Sequence, residues 1–152
     1  MKNVIQNLNQ TIEKYYPILK EMDDVQFSIK PNPGKWSKKE ELGHLTDSAQ
    51  NNIQRFIRVQ YEEHVHVMYD PENWVEFNNY QNKEKNDVIE LWYQLNKQII
   101  SVLEKMPADK YTTLMSFDEN ASVKNTVLFI ADDYVEHLKH HLVSILDFKK
   151  PT

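Results

Sequence analysis

The chain has 152 residues, of which 40% are hydrophobic and 27% are charged, with a formal net charge of -5 and no cysteine. This length favours one domain over 1–152, large enough to bury a core. Without cysteine there is no disulfide, no cysteine-based zinc site and no cysteine nucleophile, and a cytoplasmic location is expected. The acidic charge argues against nonspecific binding to nucleic acid or anionic membranes, and no apolar run is long enough to span a membrane.

The first predicted helix covers about residues 2–23, because apolar residues recur there every three or four positions. This stripe consists of Ile5, Leu8, Ile12, Tyr15, Leu19 and Met22. The pattern fades before residues 29–34, where two prolines and a glycine predict a loop.

The second predicted helix covers about residues 37–60. Ser37 and Glu40 have the spacing of a capping box, in which each side chain bonds the backbone amide of the other residue. Apolar residues follow at helical spacing at Leu42, Leu45, Ala49, Ile53 and Phe56.

A long connection, residues 61–86, separates the second and third predicted helices. It exceeds a simple bundle turn and is therefore a crossover or a functional loop. Asp70, Pro71 and Glu72 form a pattern typical of a helix start, which predicts a short helix through Trp74 and Phe77.

The third predicted helix covers residues 87–106, with Asp87 as its cap and Pro107 after its end; its stripe is Val88, Trp92, Leu95, Ile99, Val102 and Met106. The fourth covers residues 122–148 and starts after Ser122, with the stripe Val127, Ile130, Tyr134, His137, His141, Ser144 and Phe148. We therefore predict an all-α four-helix bundle with a long crossover between its second and third helices and no sheet of three or more strands.

Three of the six histidines lie within five positions of the fourth predicted helix. His137 and His141 are four residues apart, so they share a helix face and can direct two imidazoles at one metal ion. On an apolar stripe, each ring nitrogen would need a partner to offset the cost of burial. The alternative is a pair of half-buried histidines bonded to side chains or water, and spacing alone does not separate the two.

Two further residues of this helix bear on a metal site. His140 could replace His141 as a ligand, although it lies off the stripe and is better placed on the flank of the bundle. Asp133, four residues before His137, could accept a hydrogen bond from that ring. An ordinary solvated acid is the commoner state of such a residue.

A third ligand must come from another part of the chain, and the candidates are His44, His64 and His66. The last two lie in the long connection, where histidines are usually solvated. His44 lies early in the second helix, on a polar stripe with Ser48, Asn51 and Arg55. Spacing does not decide whether that stripe is plain surface or lines a polar cleft.

The segment 33–47 resembles the second-helix signature of the DinB-like superfamily: Trp36, then Ser37, an acid, the pair His44-Leu45 and Asp47. The run of histidines at His137, His140 and His141 is similar to the last helix of that family, and Trp74 is in register. This resemblance extends over the whole chain. It implies a four-helix bundle of unusual connectivity in which His44, His137 and His141 bind a divalent metal ion.

The resemblance also implies an activity. Characterised members are metal-dependent thiol S-transferases or isomerases that use bacillithiol or mycothiol, and dimers are frequent. We therefore expect zinc, with nickel, iron(II) or manganese(II) as alternatives, a small thiol and an electrophile as substrates, and a homodimer. Since the chain has no cysteine, the thiol must arrive as a co-substrate.

Residues near His44 in the sequence are candidates to contact such a ligand, namely Arg55, Asn51 and Trp36. Trp36 is better explained as a core residue at the helix start. Two other interpretations remain: a metal-binding stress-response or sensor protein without catalysis, and a structural bundle whose histidines are incidental.

Overall fold

The computed structural model describes residues 1–116 and 123–146. In chain order its elements are α1 (Lys2–Glu21), α2 (Asp24–Ser28), α3 (Lys38–Arg58), α4 (Pro71–Asn78), a 3-10 turn (Tyr80–Asn82), α5 (Lys85–Lys105), a second 3-10 turn (Ala108–Thr112), β1 (Leu114–Ser116), β2 (Lys124–Thr126) and α6 (Val127–Leu146). The two strands form one antiparallel pair.

The four long helices form the predicted all-α bundle around one hydrophobic core. α1 and α3 each pack against both α5 and α6, and α4 lies against α3. The largest fully buried side chains include Trp92, Phe56 and Leu8, which come from three different long helices. Among the helices that the structure describes, none has an apolar stretch long enough to cross a membrane.

Two predicted helix starts are confirmed by their capping hydrogen bonds. Ser37 Oγ accepts from the Glu40 amide at 3.1 Å, and Glu40 Oε2 accepts from the Ser37 amide at 2.9 Å, which completes the capping box of α3. Asp70 Oδ1 accepts from the Asn73 amide at 3.1 Å at the start of α4. The crossover therefore contains the short helix expected around Trp74.

Local details of two connections differ from the prediction. Helix α2 lies where the apolar pattern faded; it is capped by Asp23, which accepts from the Gln26 amide, and it buries Phe27 in the core. Helix α5 starts two residues early, so Glu84 occupies its cap position and Asp87 lies in its first turn. A carboxylate in the first turn favours a helix through the macrodipole as well as through capping, so the spacing alone did not separate the two positions.

The last long helix starts later than predicted. α6 begins at Val127, because residues 124–126 pair with β1 as a strand. The Thr126 hydroxyl then accepts from the Phe129 amide at 3.1 Å, which satisfies one of the first amides of the helix. The predicted start at Ser122 and the predicted end at Phe148 lie outside the described residues.

The buried face of α6 includes the predicted stripe residues Val127, Ile130 and Tyr134, but it is rotated relative to that stripe from His137 onwards. Leu138, Leu142 and Ile145 are buried, whereas Ser144 is exposed. This face is wide because α6 packs against both α1 and α3. The apolar seam therefore runs beside His137 and His141, which flank it half-buried.

Candidate metal centre

Three histidines from two helices converge at the α3–α6 interface. One ligand nitrogen from each of His44, His137 and His141 lies within 4.8 Å of the other two. The Nε2 atoms of His44 and His137 are 3.2 Å apart. The centroids of the three rings are 5.2, 4.9 and 4.6 Å apart, and the rings meet edge to face.

This geometry fits a divalent ion. Two imidazole nitrogens bound to one tetrahedral zinc ion at 2.0–2.1 Å are about 3.3 Å apart, close to the separation between His44 and His137. Facing Nε2 atoms can hydrogen-bond only if one is protonated, whereas an ion would accept both lone pairs. Within the described residues, the other nitrogen of His44, Nδ1, is buried without a hydrogen-bond partner, and an ion bound at Nε2 would not contact it.

The surroundings keep two of these rings neutral. Burial, followed by the neighbouring His137 and His141, lowers the pKa of His44 to about 3. Burial, followed by His141 and His140, lowers the pKa of His137 to about 4. The neutral imidazole carries the lone pair that binds a metal, so both rings are in the ligand form at pH 7.

A carboxylate orients the third ring. His141 Nδ1 lies 2.9 Å from Glu41 Oε1, and both side chains are half-buried. A protonated Nδ1 that donates to Glu41 leaves the Nε2 lone pair of His141 for an ion, as in the carboxylate–histidine–metal arrangement. Sequence reasoning missed Glu41, although its position three residues before His44 places both on one face of α3.

A cavity of about 280 Å³ opens beside two of the histidines. Its lining comes from α3, the crossover and α6: His44, Ser48, Asn52, Arg55, Met68, Tyr69, Pro71, Ile130, Asp133, Tyr134 and His137. The polar stripe of α3 thus lines a cleft. Asn52 lines it in place of Asn51, whose side-chain amide instead donates to the Asp47 carbonyl at 2.9 Å.

Arg55 connects the crossover to α3 at the far side of this cavity. Its Nε and Nη2 donate to the Val67 carbonyl at 3.2 and 2.6 Å, and its Nη1 donates to Asn52 Oδ1 at 3.3 Å. The side chain is 9% exposed, and burial lowers its pKa. The cavity therefore contains a largely desolvated guanidinium on the same helix face as His44.

The remaining candidate histidines lie outside the cluster. His140 is exposed, and its ring centroid is 5.5 Å from that of His141. His64 and His66 line a separate cavity beside β1, where His66 forms a bridge with Ser116.

Asp133 and Trp36, which were predicted near the site, both lie close to it. Asp133 is exposed and lines the cavity beside His44 and His137. Trp36 is half-buried against the core, as expected at the start of α3, and its ring centroid is 5.2 Å from that of His44.

Asp47 holds the crossover onto α3. Its Oδ1 accepts from the Tyr80 hydroxyl at 2.6 Å and from Asn78 Nδ2 at 2.9 Å, whereas Oδ2 is buried without a hydrogen-bond partner among the described residues. Burial raises the pKa of this carboxyl to about 6. A Cβ at Gly43 would lie 2.2 Å from Tyr80 Cδ2, so only glycine allows this ring to pack so closely against α3.

Comparisons with known proteins agree with the predicted fold. The sequence profile of the DinB superfamily matches residues 7–145. The structure of YfiT from Bacillus subtilis, a probable metal-dependent hydrolase with an unusual four-helix bundle topology, superposes with a TM-score of 0.85 at 22% identity, over 96% of this chain and 83% of that one. Among curated proteins, no sequence match of significance was found.

A second solved structure shares the fold over part of its length. The mycothiol-dependent maleylpyruvate isomerase superposes with a TM-score of 0.78 at 11% identity, over 95% of this chain. The match covers 60% of the isomerase, so a large part of that enzyme has no counterpart here.

Proposed function

We propose, because this chain belongs to the DinB superfamily, that His44, His137 and His141 bind a divalent metal ion and that the protein is a metal-dependent thiol S-transferase. The observation that carries the proposal is the convergence of three imidazoles beside a cavity. Three protein ligands with an open position are the composition of a catalytic metal site, whereas structural zinc sites usually have four.

The residues around the site would have different roles in binding the ion. His44 and His137 would supply Nε2 ligands at the edge of the cavity, and Glu41 would hold His141 in the tautomer that leaves its Nε2 available. A bound divalent ion lowers the pKa of a coordinated thiol or water towards neutrality. Zinc suits three imidazoles best, and nickel, iron(II) and manganese(II) are the alternatives.

Two features favour a thiol as the nucleophile. The chain has no cysteine, so a thiol must arrive from solution, and the cavity beside the histidines is lined by polar groups suited to a polar co-substrate. The isomerase that shares this bundle is mycothiol-dependent. Hydrolysis is the second candidate, favoured by the description of YfiT as a probable metal-dependent hydrolase.

The test begins with the metal content of protein purified without an affinity tag. We expect about one divalent ion per chain, lost in His137→Ala. Thiol consumption with 1-chloro-2,4-dinitrobenzene and hydrolysis of p-nitrophenyl acetate are then measured with and without metal.

The outcomes separate the candidate functions. Metal-dependent thiol consumption supports the S-transferase, and metal-dependent hydrolysis alone supports the hydrolase. Metal binding with neither activity leaves a non-catalytic metal-binding protein, and a wild-type protein that binds no metal excludes all three. A homodimer and a cytoplasmic location stay predictions, the first of which light scattering can test.

A further inference from the structure

We propose that His64 and His66 form a second metal site, in which two imidazoles hold a late first-row divalent ion such as Cu²⁺ or Ni²⁺. The site lies in the cavity beside β1 and shares no residue with the candidate centre at His44, His137 and His141. Two protein ligands hold an ion less tightly than three, so this site fills only when metal is added. It is independent of the proposed function.

The segment that carries the pair places both rings on one side of the chain. Burial alternates along it: Val65 and Val67 are 3% and 6% exposed, whereas His64, His66 and Met68 are exposed. This alternation is typical of an extended segment, in which side chains two residues apart point the same way with Cβ atoms about 6.5 Å apart. Both histidines line one cavity of about 470 Å³. Two imidazoles at this spacing can reach one ion.

Hydrogen bonds hold the backbone of this segment in place. The Val65 carbonyl accepts from the Ser116 amide at 3.4 Å, and His66 forms a parallel bridge with Ser116. The Val67 carbonyl accepts from Arg55 Nε and Nη2 at 3.2 and 2.6 Å. An ion that binds to a pair already held in position loses less conformational entropy than one that must order a loop.

The surroundings leave both imidazoles available to an ion. Within residues 1–116 and 123–146, neither the His64 nor the His66 side chain has a hydrogen bond or a ring contact. Glu63 and Lys124 also line the cavity and bring charges of opposite sign. A neutral imidazole binds a transition metal through its lone pair and needs no negative lining. Nitrogen ligands with an oxygen ligand nearby suit Cu²⁺ and Ni²⁺, which favour square-planar or tetragonal sites.

The two metal sites are far enough apart to be distinguished in one experiment. Arg55, which bonds the histidine segment at Val67, lies eleven positions beyond His44 on α3, about 16 Å along the helix axis. A paramagnetic ion at one site therefore broadens a different set of amide signals from an ion at the other.

Titration with Cu²⁺, followed by amide NMR spectra, tests the inference. Cu²⁺ is the probe because nitrogen ligands bind it more tightly than the other first-row divalent ions. In wild-type protein we expect the amide signals of residues 63–66 to broaden as a group separate from those around His44. In His64→Gln and in His66→Gln, the Cu²⁺ concentration that half-broadens this group should rise at least about tenfold, since losing even an outer partner of a ligand costs about that much affinity.

A matched control is the exposed histidine of α6, His140, which lies outside this cavity. His140→Gln removes one imidazole and should leave the half-broadening concentration for residues 63–66 unchanged. An equal rise in this control and in the two variants would assign the effect to loose binding by any surface histidine and overturn the inference.

The remaining outcomes are also decisive. The inference is overturned if the signals of residues 63–66 do not broaden in wild-type protein, or if only one of the two variants weakens the effect, which would show a single imidazole binding alone. Melting curves check that the variants are folded, and His64→Asn or His66→Asn replaces one that is not. Broadening at residues 63–66 without any around His44 would refute the three-histidine centre and leave this second site intact.

Discussion

Helix α6 carries two polar side chains one turn apart, Tyr134 and His137, whose surroundings differ. The Tyr134 hydroxyl donates to Asn96 Oδ1 at 2.6 Å, and Asn96 Nδ2 donates to the Trp92 carbonyl at 2.8 Å. His137 lines the same cavity as Tyr134 but faces another imidazole, with its Nε2 3.2 Å from His44 Nε2.

This difference separates a structural polar pair from a candidate binding site. Tyr134 and Asn96 satisfy each other and connect α6 to α5, so neither needs a ligand. The histidines are only partly satisfied by protein atoms, and an incompletely satisfied buried polar group is costly. A metal ion at the histidine cluster would accept the lone pairs of the two facing Nε2 atoms, whereas the Tyr134 hydroxyl already has its partner in Asn96.

The sharpest test of the comparison is the effect of metal on stability. Zinc at one hundred times its dissociation constant should stabilise the native protein by about 2.7 kcal/mol, if it does not bind the unfolded chain. For a chain of this size that corresponds to a rise in melting temperature of about 5–10 °C. His137→Ala should remove most of this rise, measured by melting curves in chelator and in added zinc.

The matched control is Tyr134→Phe, which should keep the zinc-induced rise because its hydroxyl bonds Asn96. In chelator, His137→Ala should be no less stable than wild type, since a buried imidazole without an ion lacks a full set of partners. A rise of the same size in wild type and His137→Ala would show that His137 is not a ligand.

The bundle was predictable because its signals are local. Heptad-like spacing and the capping box of Ser37 specify where α3 begins and which of its faces is apolar, and both depend on residues within a few turns. The strand pairing at 124–126 was not predictable, because it depends on β1 and on backbone hydrogen bonds that leave no periodic pattern in three residues.

The site was only partly predictable, since tertiary contacts determine its details. Helical spacing predicted that His137 and His141 share a face, but only the resemblance to a family identified His44 as the third candidate ligand. Glu41 was missed because its partner is one hundred positions away in the sequence. Asn51 was predicted at the site, whereas Asn52 lines the cavity. The two residues are adjacent on α3, and only the position of the crossover defines which side of the helix faces the cleft.

Asp47 is intermediate between these two regions in how far its polar atoms are satisfied. Its Oδ1 accepts two hydrogen bonds, whereas its Oδ2 has no partner among the described residues. Its pKa is raised to about 6 by burial, against about 3.9 in an unfolded chain. Between these values the native state binds more protons, so the free energy of unfolding falls as pH rises from about 4 to about 6. Relative to Asp47→Asn, the free energy of unfolding of wild-type protein should fall by about 2 kcal/mol between pH 4 and pH 7.

Urea unfolding at several pH values, in chelator, measures this difference. The histidines are present in both proteins, so their titration cancels. Asp109→Asn removes an exposed carboxylate and corrects for the general effect of one charge. Parallel stability curves for wild type and Asp47→Asn would show that Asp47 is ionised in the folded protein as readily as in the unfolded chain.

A smaller effect is expected from the carboxylate that orients His141. Glu41→Gln keeps the side-chain shape but weakens the acceptor for His141 Nδ1, so zinc affinity should fall about tenfold. Competition with a chromophoric chelator measures it. Glu136→Gln, which removes an exposed α6 carboxylate paired with Lys139, should leave the affinity unchanged. Equal affinities in the two variants would remove Glu41 from the site.

The smallest effect lies on the structural side of the comparison. Tyr134→Phe should lower the free energy of unfolding by about 1 kcal/mol, because Asn96 Oδ1 is left buried without its donor. Replacing both partners, as Tyr134→Phe with Asn96→Leu, removes the unpaired group and should recover much of the loss. Urea unfolding in chelator measures both variants. If the single variant instead lost the zinc-induced stabilisation while its stability in chelator was unchanged, the tyrosine would belong to the binding site and the distinction between the two regions of α6 would fail.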